Sequence, residues 1–167
     1  NLLKISKFDA GTIMMEKKRK NVSEMMERVR KRFDFRAVQE GKKIVLAGDE
    51  SSDFDCDCSW LSEAIANIVK NALDHTEEGE FVRIEWKTSV SLLQIAVEDN
   101  GSGIHPEDLY FIFKRFYRSR YSKDTQGIGL GLPLAKSIIE AHGGSISVDS
   151  ELGSGTTFYI YFPYNCT

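Results

Sequence analysis

Glu63, Asn67 and Asn71 recur every four residues, with Lys70 and Asp74 beside them, so a helix through this segment would carry all five on one side. An asparagine oxygen is a neutral ligand that a hard cation can accept while keeping its waters and the phosphates of a substrate. Asn71 is therefore the candidate metal ligand, although the same stripe also suits a helix that simply meets water. Asp99 is the second candidate. Counted from Leu93, Ile95 and Val97, it takes the inward parity of its strand, where a carboxylate needs hydrogen-bond donors. Asn100-Gly101-Ser102-Gly103-Ile104 follows, a backbone free to turn sharply or to let a flat ligand approach, and an adenine amino group would supply the donor. A turn capped by Asp99 is the structural alternative. Third, Gly127-Ile128-Gly129-Leu130-Gly131-Leu132 opens a helix whose unpaired N–H groups favour phosphate. The spacing is GxGxG and the preceding residues 118–126 are polar, so the dinucleotide-binding fingerprint does not apply, and no GxxxxGK[ST] occurs.

These residues need elements to position them. Leu2, Leu3, Ile5 and Phe8 have helical spacing and stop at Gly11, as if a helix enters from upstream. Residues 14–22 read as extended, and Ser23 and Glu24 begin a helix to about Ala37, with Met26, Val29 and Phe33 on one side. Residues 43–47 read as a short strand. The helix over 59–73 has Leu61, Ala64, Ile65, Ile68 and Ala72 at threes and fours, with Ser59 as candidate N-cap. Val82, Ile84 and Trp86 alternate with Arg83, Glu85 and Lys87. Leu93, Ile95 and Val97 alternate with Gln94 and Glu98, and the short link at 88–91 implies a hairpin. Residues 100–131, glycine-rich with a tyrosine-rich basic stretch, form a functional loop. A helix over 132–141 has Pro133 in its first turn and ends at Gly143-Gly144; strands over 145–150 and 156–162 follow. Helices alternating with mostly hairpin-linked strands give an α/β, two-layer sandwich with helices on one face of a mixed sheet.

Composition bounds the functional classes. A chain of 167 residues, 41% hydrophobic, supports one globular domain. Its net charge of -3 gives no surface for neutralising a phosphate backbone, so nucleic acid is not an expected partner. No apolar run approaches the roughly 20 residues needed to span a bilayer, and direct membrane contact is not expected of this segment. Three cysteines, Cys56, Cys58 and Cys166, imply a reducing compartment rather than a disulfide framework. Cys56 and Cys58 lack a second pair to complete four metal ligands. Asp53, Asp55 and Asp57 imitate the start of a calcium loop, but Cys58 and Ala64 stand where that loop requires Gly and Glu.

Taken together, the motifs resemble the ATP-binding catalytic domain of bacterial two-component sensor histidine kinases, in the superfamily shared with DNA gyrase, heat-shock chaperone and mismatch-repair ATPases. Asn67-Ile-Val-Lys-Asn71-Ala resembles the N box, Asp99-Asn-Gly-Ser-Gly103 the first glycine box, Phe111-Ile-Phe-Lys-Arg-Phe116-Tyr-Arg118 the F box, Gly127 to Leu132 the second glycine box, and Gly153-Ser-Gly155-Thr156 the last glycine element. The resemblance implies the Bergerat ATP-binding fold over 13–167, a remnant of the dimerisation and phosphoacceptor helix over 1–12, and an ATP lid at about 105–127. It implies that ATP and magnesium bind here, with Asn71 on the metal, Asp99 on the adenine amino group and Thr156 assisting at adenine through water. Gly101, Gly103, Gly127, Gly129, Gly131 and Leu132 would shape the nucleotide pocket, Phe113 and Phe116 would anchor the lid, and Asn67, Asn71 and Arg118 would serve catalysis. Many relatives carry Lys or Arg, then Tyr, where this chain has Asp74 and His75, which makes Lys70 the substitute phosphate contact. The resemblance further implies a cytoplasmic domain of a membrane-anchored receptor, whose partners are its own upstream phosphoacceptor domain and a response regulator.

Three other functions use related sequences. A gyrase-type ATPase has a Glu four residues before the magnesium Asn; here Asn67 stands there and cannot act as general base, so transfer is favoured over hydrolysis. A protein-binding module without nucleotide would not need Asn71, Asp99 and the glycines. A serine-directed anti-sigma kinase uses a similar pocket, but the helical segment at 1–12 fits the histidine class. His75, His105 and His142 all lie outside the HE-x-x-TP context of a phosphoacceptor, which places the acceptor upstream of Asn1.

Overall fold

The structure, a computed structural model, describes residues 2–117 and 131–164. Element order is α1 (Leu2–Asp9), β1 (Lys18–Asn21), α2 (Val22–Glu40), β2 (Lys43–Gly48), β3 (Asp53–Cys56), α3 (Cys58–Asp74), β4 (Phe81–Thr88), β5 (Leu92–Asp99), α4 (Gly131–Ala141), β6 (Ser145–Glu151) and β7 (Gly155–Pro163). The main sheet has the order β2-β4-β5-β7-β6, with β2 parallel to β4 and every other pair antiparallel. It is a mixed sheet, as expected. The parallel pair needs a crossover, and α3 supplies it.

Strand parity decides which face is covered. Val82, Ile84 and Trp86 on β4, Leu93, Ile95 and Val97 on β5, and Phe158, Ile160 and Phe162 on β7 are all buried. Each such side chain contributes roughly 1.5–3 kcal/mol by leaving water. Over them lie α2, α3 and α4, and the opposite parity, including Arg83, Glu85, Lys87, Gln94 and Glu98, floors a shallow depression open to solvent. The expected two-layer arrangement with helices on one face is the one observed.

Two local readings differ. The N-cap of α3 is Asp57, not Ser59: the Asp57 carboxylate accepts from the Trp60 N–H at 3.2 Å and from the Glu16 N–H at 2.9 Å, fixing the preceding segment as well as the helix start. Residues 53–56, to which the sequence reading assigned no element, are a strand that pairs antiparallel with β1 in a separate two-stranded sheet. On it Phe54 and Cys56 face the core, and burial pushes the Cys56 thiol up to about 12, the value of an apolar packing residue rather than of a metal-binding thiolate.

At the same end of α3, buried His142, just beyond α4, ties α4 to α3. Its Nε2 accepts from the Asp57 N–H at 3.1 Å, so the ring is neutral and Nδ1 donates to the Ile138 carbonyl at 2.8 Å. Burial holds its pKa below the ordinary value. α1 packs on the outside of this pair: Ile5 is buried, Phe8 meets Trp60 edge-on at 4.8 Å, and Lys4 bonds Glu63 at 2.7 Å.

Candidate nucleotide site

Asp99 ends β5 with its side chain on the covered face, 3% exposed. Burial raises its pKa to about 6, against the pull of the Gly101 and Thr156 backbone N–H groups, the first donating to Oδ1 at 2.9 Å. A buried carboxylate with acceptor capacity left over suits a ligand that brings its own N–H donor. Thr156 stands directly opposite in the β5–β7 register. The Ser150 hydroxyl donates to the Gly155 carbonyl at 3.1 Å and accepts from the Ile104 N–H at 2.7 Å. It lies 2.9 Å from the Thr156 hydroxyl, which is then the donor of that pair and retains its lone pairs for a water or ligand.

The backbone beside Asp99 leaves no room for side chains. A Cβ on Gly101 would sit 2.1 Å from the His75 carbonyl oxygen, and one on Gly155, whose φ is +112°, would sit 2.0 Å from the Asp99 carbonyl oxygen. Gly101 therefore lets the 100–103 loop lie on the C-terminus of α3, where the Ser102 N–H donates to the His75 carbonyl at 3.0 Å. Asn100 Oδ1 accepts from the Phe81 N–H at 2.8 Å, and Gly103 follows at φ +76°. The carboxylate, the end of α3 and the turn before β7 become one rigid corner.

The second half of the site lies along α3. Asn67 and Asn71 are one turn apart and both half-buried, and Asn67 faces the start of α4: a Cβ on Gly131 would come 4.0 Å from Asn67 Cβ and Cγ. Among the described residues, Asn67 Nδ2 is the buried side-chain atom without a hydrogen-bond partner. A buried amide N–H left unsatisfied costs about 1–3 kcal/mol, so a ligand acceptor at this point stabilises the protein. Leu132, buried, and Pro133 form the first turn of α4, where N–H groups without a partner inside the helix and the positive end of the dipole add to the same potential.

The remaining candidates separate. Glu63 is drawn away to Lys4, and the exposed Lys70 bonds Asp74 at 3.0 Å. Phe113 packs against the core, edge-on to Phe158 at 6.3 Å, whereas Phe116 is exposed with a φ of +63°. Residues 105–117, the first part of the expected lid, run through successive turns that place Asp108 inside, holding the Tyr117 hydroxyl. Arg118, Gly127 and Gly129, with the rest of the lid, lie outside the described residues. Sequence reading missed Ser150 and Asn100, whose parts are set by partners distant in sequence; only the strand pairing of Ser150 with Thr156 reveals the first.

The Asp99 carboxylate sets a pH dependence. Its folded pKa, about 6, lies above the ordinary 3.8, so its neutral form is stabilising below 3.8 and that contribution is lost as pH rises through 6. A ligand donating an N–H to it favours the charged form and drives the proton off. Adenosine, which has no titrating phosphate, is expected to bind more weakly as pH falls from 7.5 to 5.5 and to release protons near pH 6. Calorimetric titration in buffers of different ionisation enthalpy checks this; an affinity independent of pH removes Asp99 from the contact.

The chain resembles known proteins in sequence and in fold. A family profile described as histidine kinase-, DNA gyrase B-, and HSP90-like ATPase matches residues 56–165. Sensor protein SrrB of Staphylococcus aureus (strain NCTC 8325 / PS 47) is 32% identical over 164 residues, 97% of this chain and 28% of SrrB. The chain thus spans little more than a quarter of the curated relatives it matches. Among solved structures, the nucleotide-free catalytic domain of histidine kinase ThkA superposes with a TM-score of 0.79 at 26% identity, covering 89% of this chain and 96% of that one. Acinetobacter baumannii histidine kinase AdeS gives 0.82 at 24% identity, over 98% and 75% of the two chains. Full-length ShkA in complex with AMPPNP gives 0.87 at 24%, over 99% and 35%.

Proposed function

Because the chain belongs to the histidine kinase-, DNA gyrase B-, and HSP90-like ATPase family, we propose that it is the catalytic domain of a sensor histidine kinase. It binds magnesium ATP and transfers the γ-phosphate to a histidine of a phosphoacceptor domain encoded elsewhere in a longer protein. The observation that carries this reading is the unpartnered Asn67 amide beneath the first residue of α4. It offers a donor to phosphate at a position where a hydrolytic ATPase of the related class needs a carboxylate base.

Each residue then has a task. Asp99 accepts the adenine amino N–H, and Thr156, held by Ser150, orders a water at the ring edge. Gly101 and Gly155 let the backbone close tightly around the Asp99 carboxylate. Asn71 offers its oxygen to magnesium, which when bound neutralises phosphate charge and fixes phosphate geometry. Asn67 and the first turn of α4 orient the phosphate tail. The acceptor imidazole nitrogen forms its bond to the γ-phosphorus as the bond to the β–γ bridging oxygen breaks, leaving ADP and phosphohistidine. Since Asn67 cannot take a proton from water, hydrolysis is slow and the nucleotide waits for its acceptor. Gly127, Gly129 and Arg118 complete the phosphate side in this reading, with 105–127 as lid and 1–12 as the end of the phosphoacceptor domain's second helix.

A response regulator would receive the phosphate. The reading also places this domain on the cytoplasmic side of a membrane-anchored receptor; among the described residues no helix is long and apolar enough to cross a membrane.

The test is labelling with γ-phosphate-labelled ATP. The chain alone is expected to bind nucleotide and incorporate almost no phosphate, because transfer depends on an acceptor held in line. Adding the phosphoacceptor domain of the longer protein should produce acid-labile, base-stable label on histidine. Acid-stable label on serine or threonine of the chain itself overturns the histidine-kinase reading and favours a serine-directed kinase.

A further inference from the structure

Asp74 occupies the polar stripe of α3 one turn beyond Asn71, and two cations from two helices hold it. Arg36 of α2 donates Nη2 to Oδ1 at 2.7 Å, while Lys70 donates Nζ to Oδ2 at 3.0 Å. Arg36 is itself anchored, its Nε donating to Glu40 Oε2 at 2.8 Å, and Lys42 bonds both Glu40 and the Leu73 carbonyl at 2.7 Å. The Asp74 side chain is 17% exposed and that of Lys70 55%. The carboxylate is thus fixed from the α2 side, and the ammonium is the mobile member of the group.

Helical geometry fixes where that ammonium is held. Residues 67, 70, 71 and 74 share one side of α3, and Lys70, three residues on, adjoins Asn67 with its unpartnered amide. An exposed i,i+4 pair is weak, whereas a phosphate oxygen carries more charge and accepts a stronger bond from an ammonium. A polyanion reaching Asn67 therefore outcompetes Asp74 for Lys70.

We propose that Arg36, Asp74 and Lys70 form an exchange clasp, in which Asp74, fixed by Arg36, parks the Lys70 ammonium beside the phosphate side until the nucleotide's phosphates take it over. Asp74 then sets nucleotide affinity through Lys70, and the chain supplies its phosphate-side cation from within the turn rather than from position 74. The inference rests on the nucleotide reading given above. A phosphate-free ligand should be indifferent to the clasp, which separates it from any effect on the adenine corner or on folding.

The experiment titrates the chain and three variants, Lys70→Met, Asp74→Asn and the double variant, with adenosine and with magnesium ADP. Lys70→Met should weaken magnesium ADP about 5- to 10-fold, and Asp74→Asn should tighten it about 3-fold, with adenosine affinity unchanged throughout. In the double variant most of the Asp74→Asn gain should vanish, because the clasp acts through Lys70. An unchanged magnesium ADP affinity in Lys70→Met overturns the clasp, as does a gain from Asp74→Asn that persists largely intact without Lys70. A loss on Asp74→Asn, restricted to the magnesium complex, also overturns it by making Asp74 a metal ligand. A parent chain that binds neither adenosine nor magnesium ADP overturns the nucleotide reading and the clasp together, whereas one that binds both without responding to Lys70→Met overturns the clasp alone.

Discussion

Asp99→Asn is expected to abolish adenine-nucleotide binding, by at least about 100-fold, in a chain that folds as well as its parent. The amide oxygen can still accept from the Gly101 N–H, but this turns Nδ2 toward the ligand, and a donor then faces the adenine amino group. Neither donor has another partner in so enclosed a corner. Folding should not suffer, because burial already disfavours the ionised carboxylate at neutral pH and a neutral amide of the same shape removes that penalty. Without ligand, the variant's Tm at pH 7.5 should equal or exceed the parent's. With millimolar ATP, the parent's Tm should rise and the variant's should stay where it is. A folded Asp99→Asn chain with parental ATP affinity by calorimetry would assign adenine recognition elsewhere.

Asn71→Ala is expected to separate chemistry from binding. The loss in phosphotransfer to an added phosphoacceptor domain should reach about 1,000-fold, while ATP affinity falls about 10-fold or less. The adenine corner is built from β5, β7 and the 100–103 loop and is untouched, so most nucleotide contacts persist. The phosphate tail loses its metal-positioning oxygen and no longer lies in line with the acceptor, which lowers the rate more than the occupancy. Alanine is a better helix former than asparagine, so α3 is preserved. Labelling rate and calorimetric affinity, each with and without magnesium, check the prediction. Transfer that needs no magnesium, or that survives the substitution, would sink the assignment.

Much of this site is legible from periodicity. The inward parity of Asp99 follows from three preceding apolar residues on alternate positions of β5, and the pairing of Asn67 with Asn71 follows from helical spacing on α3. Helices alternating with mostly hairpin-linked strands imply the layer arrangement. What escaped the sequence depends on contacts made by chain segments far apart. β3 was invisible because its outward residues, Asp53 and Asp55, advertise a loop, and only β1 across from them, with Arg19 facing both, makes a strand of them. The N-cap Asp57, which the sequence reading passed over for Ser59, also holds the Glu16 N–H, 41 residues away, a contact no local pattern encodes. The Arg36 to Asp74 bond joins two helices across 38 residues, which no local pattern encodes.

The position of β7 in the sheet bears on how the molecule comes into being during synthesis. Asp99 and Thr156 are direct partners across β5 and β7, so the adenine corner does not exist until the central pair has closed. A ribosome delivers α3, β4 and β5 well before β7. Through that interval the free edge of β5, with Leu93, Ile95 and Val97 on one face, is an unpaired template for other strands. Nucleotide cannot shield it, because half of the binding corner has not yet been translated. Protection of the nascent chain must come from chaperones or from speed, and in the nucleotide reading ATP would enter only once β7 has been added.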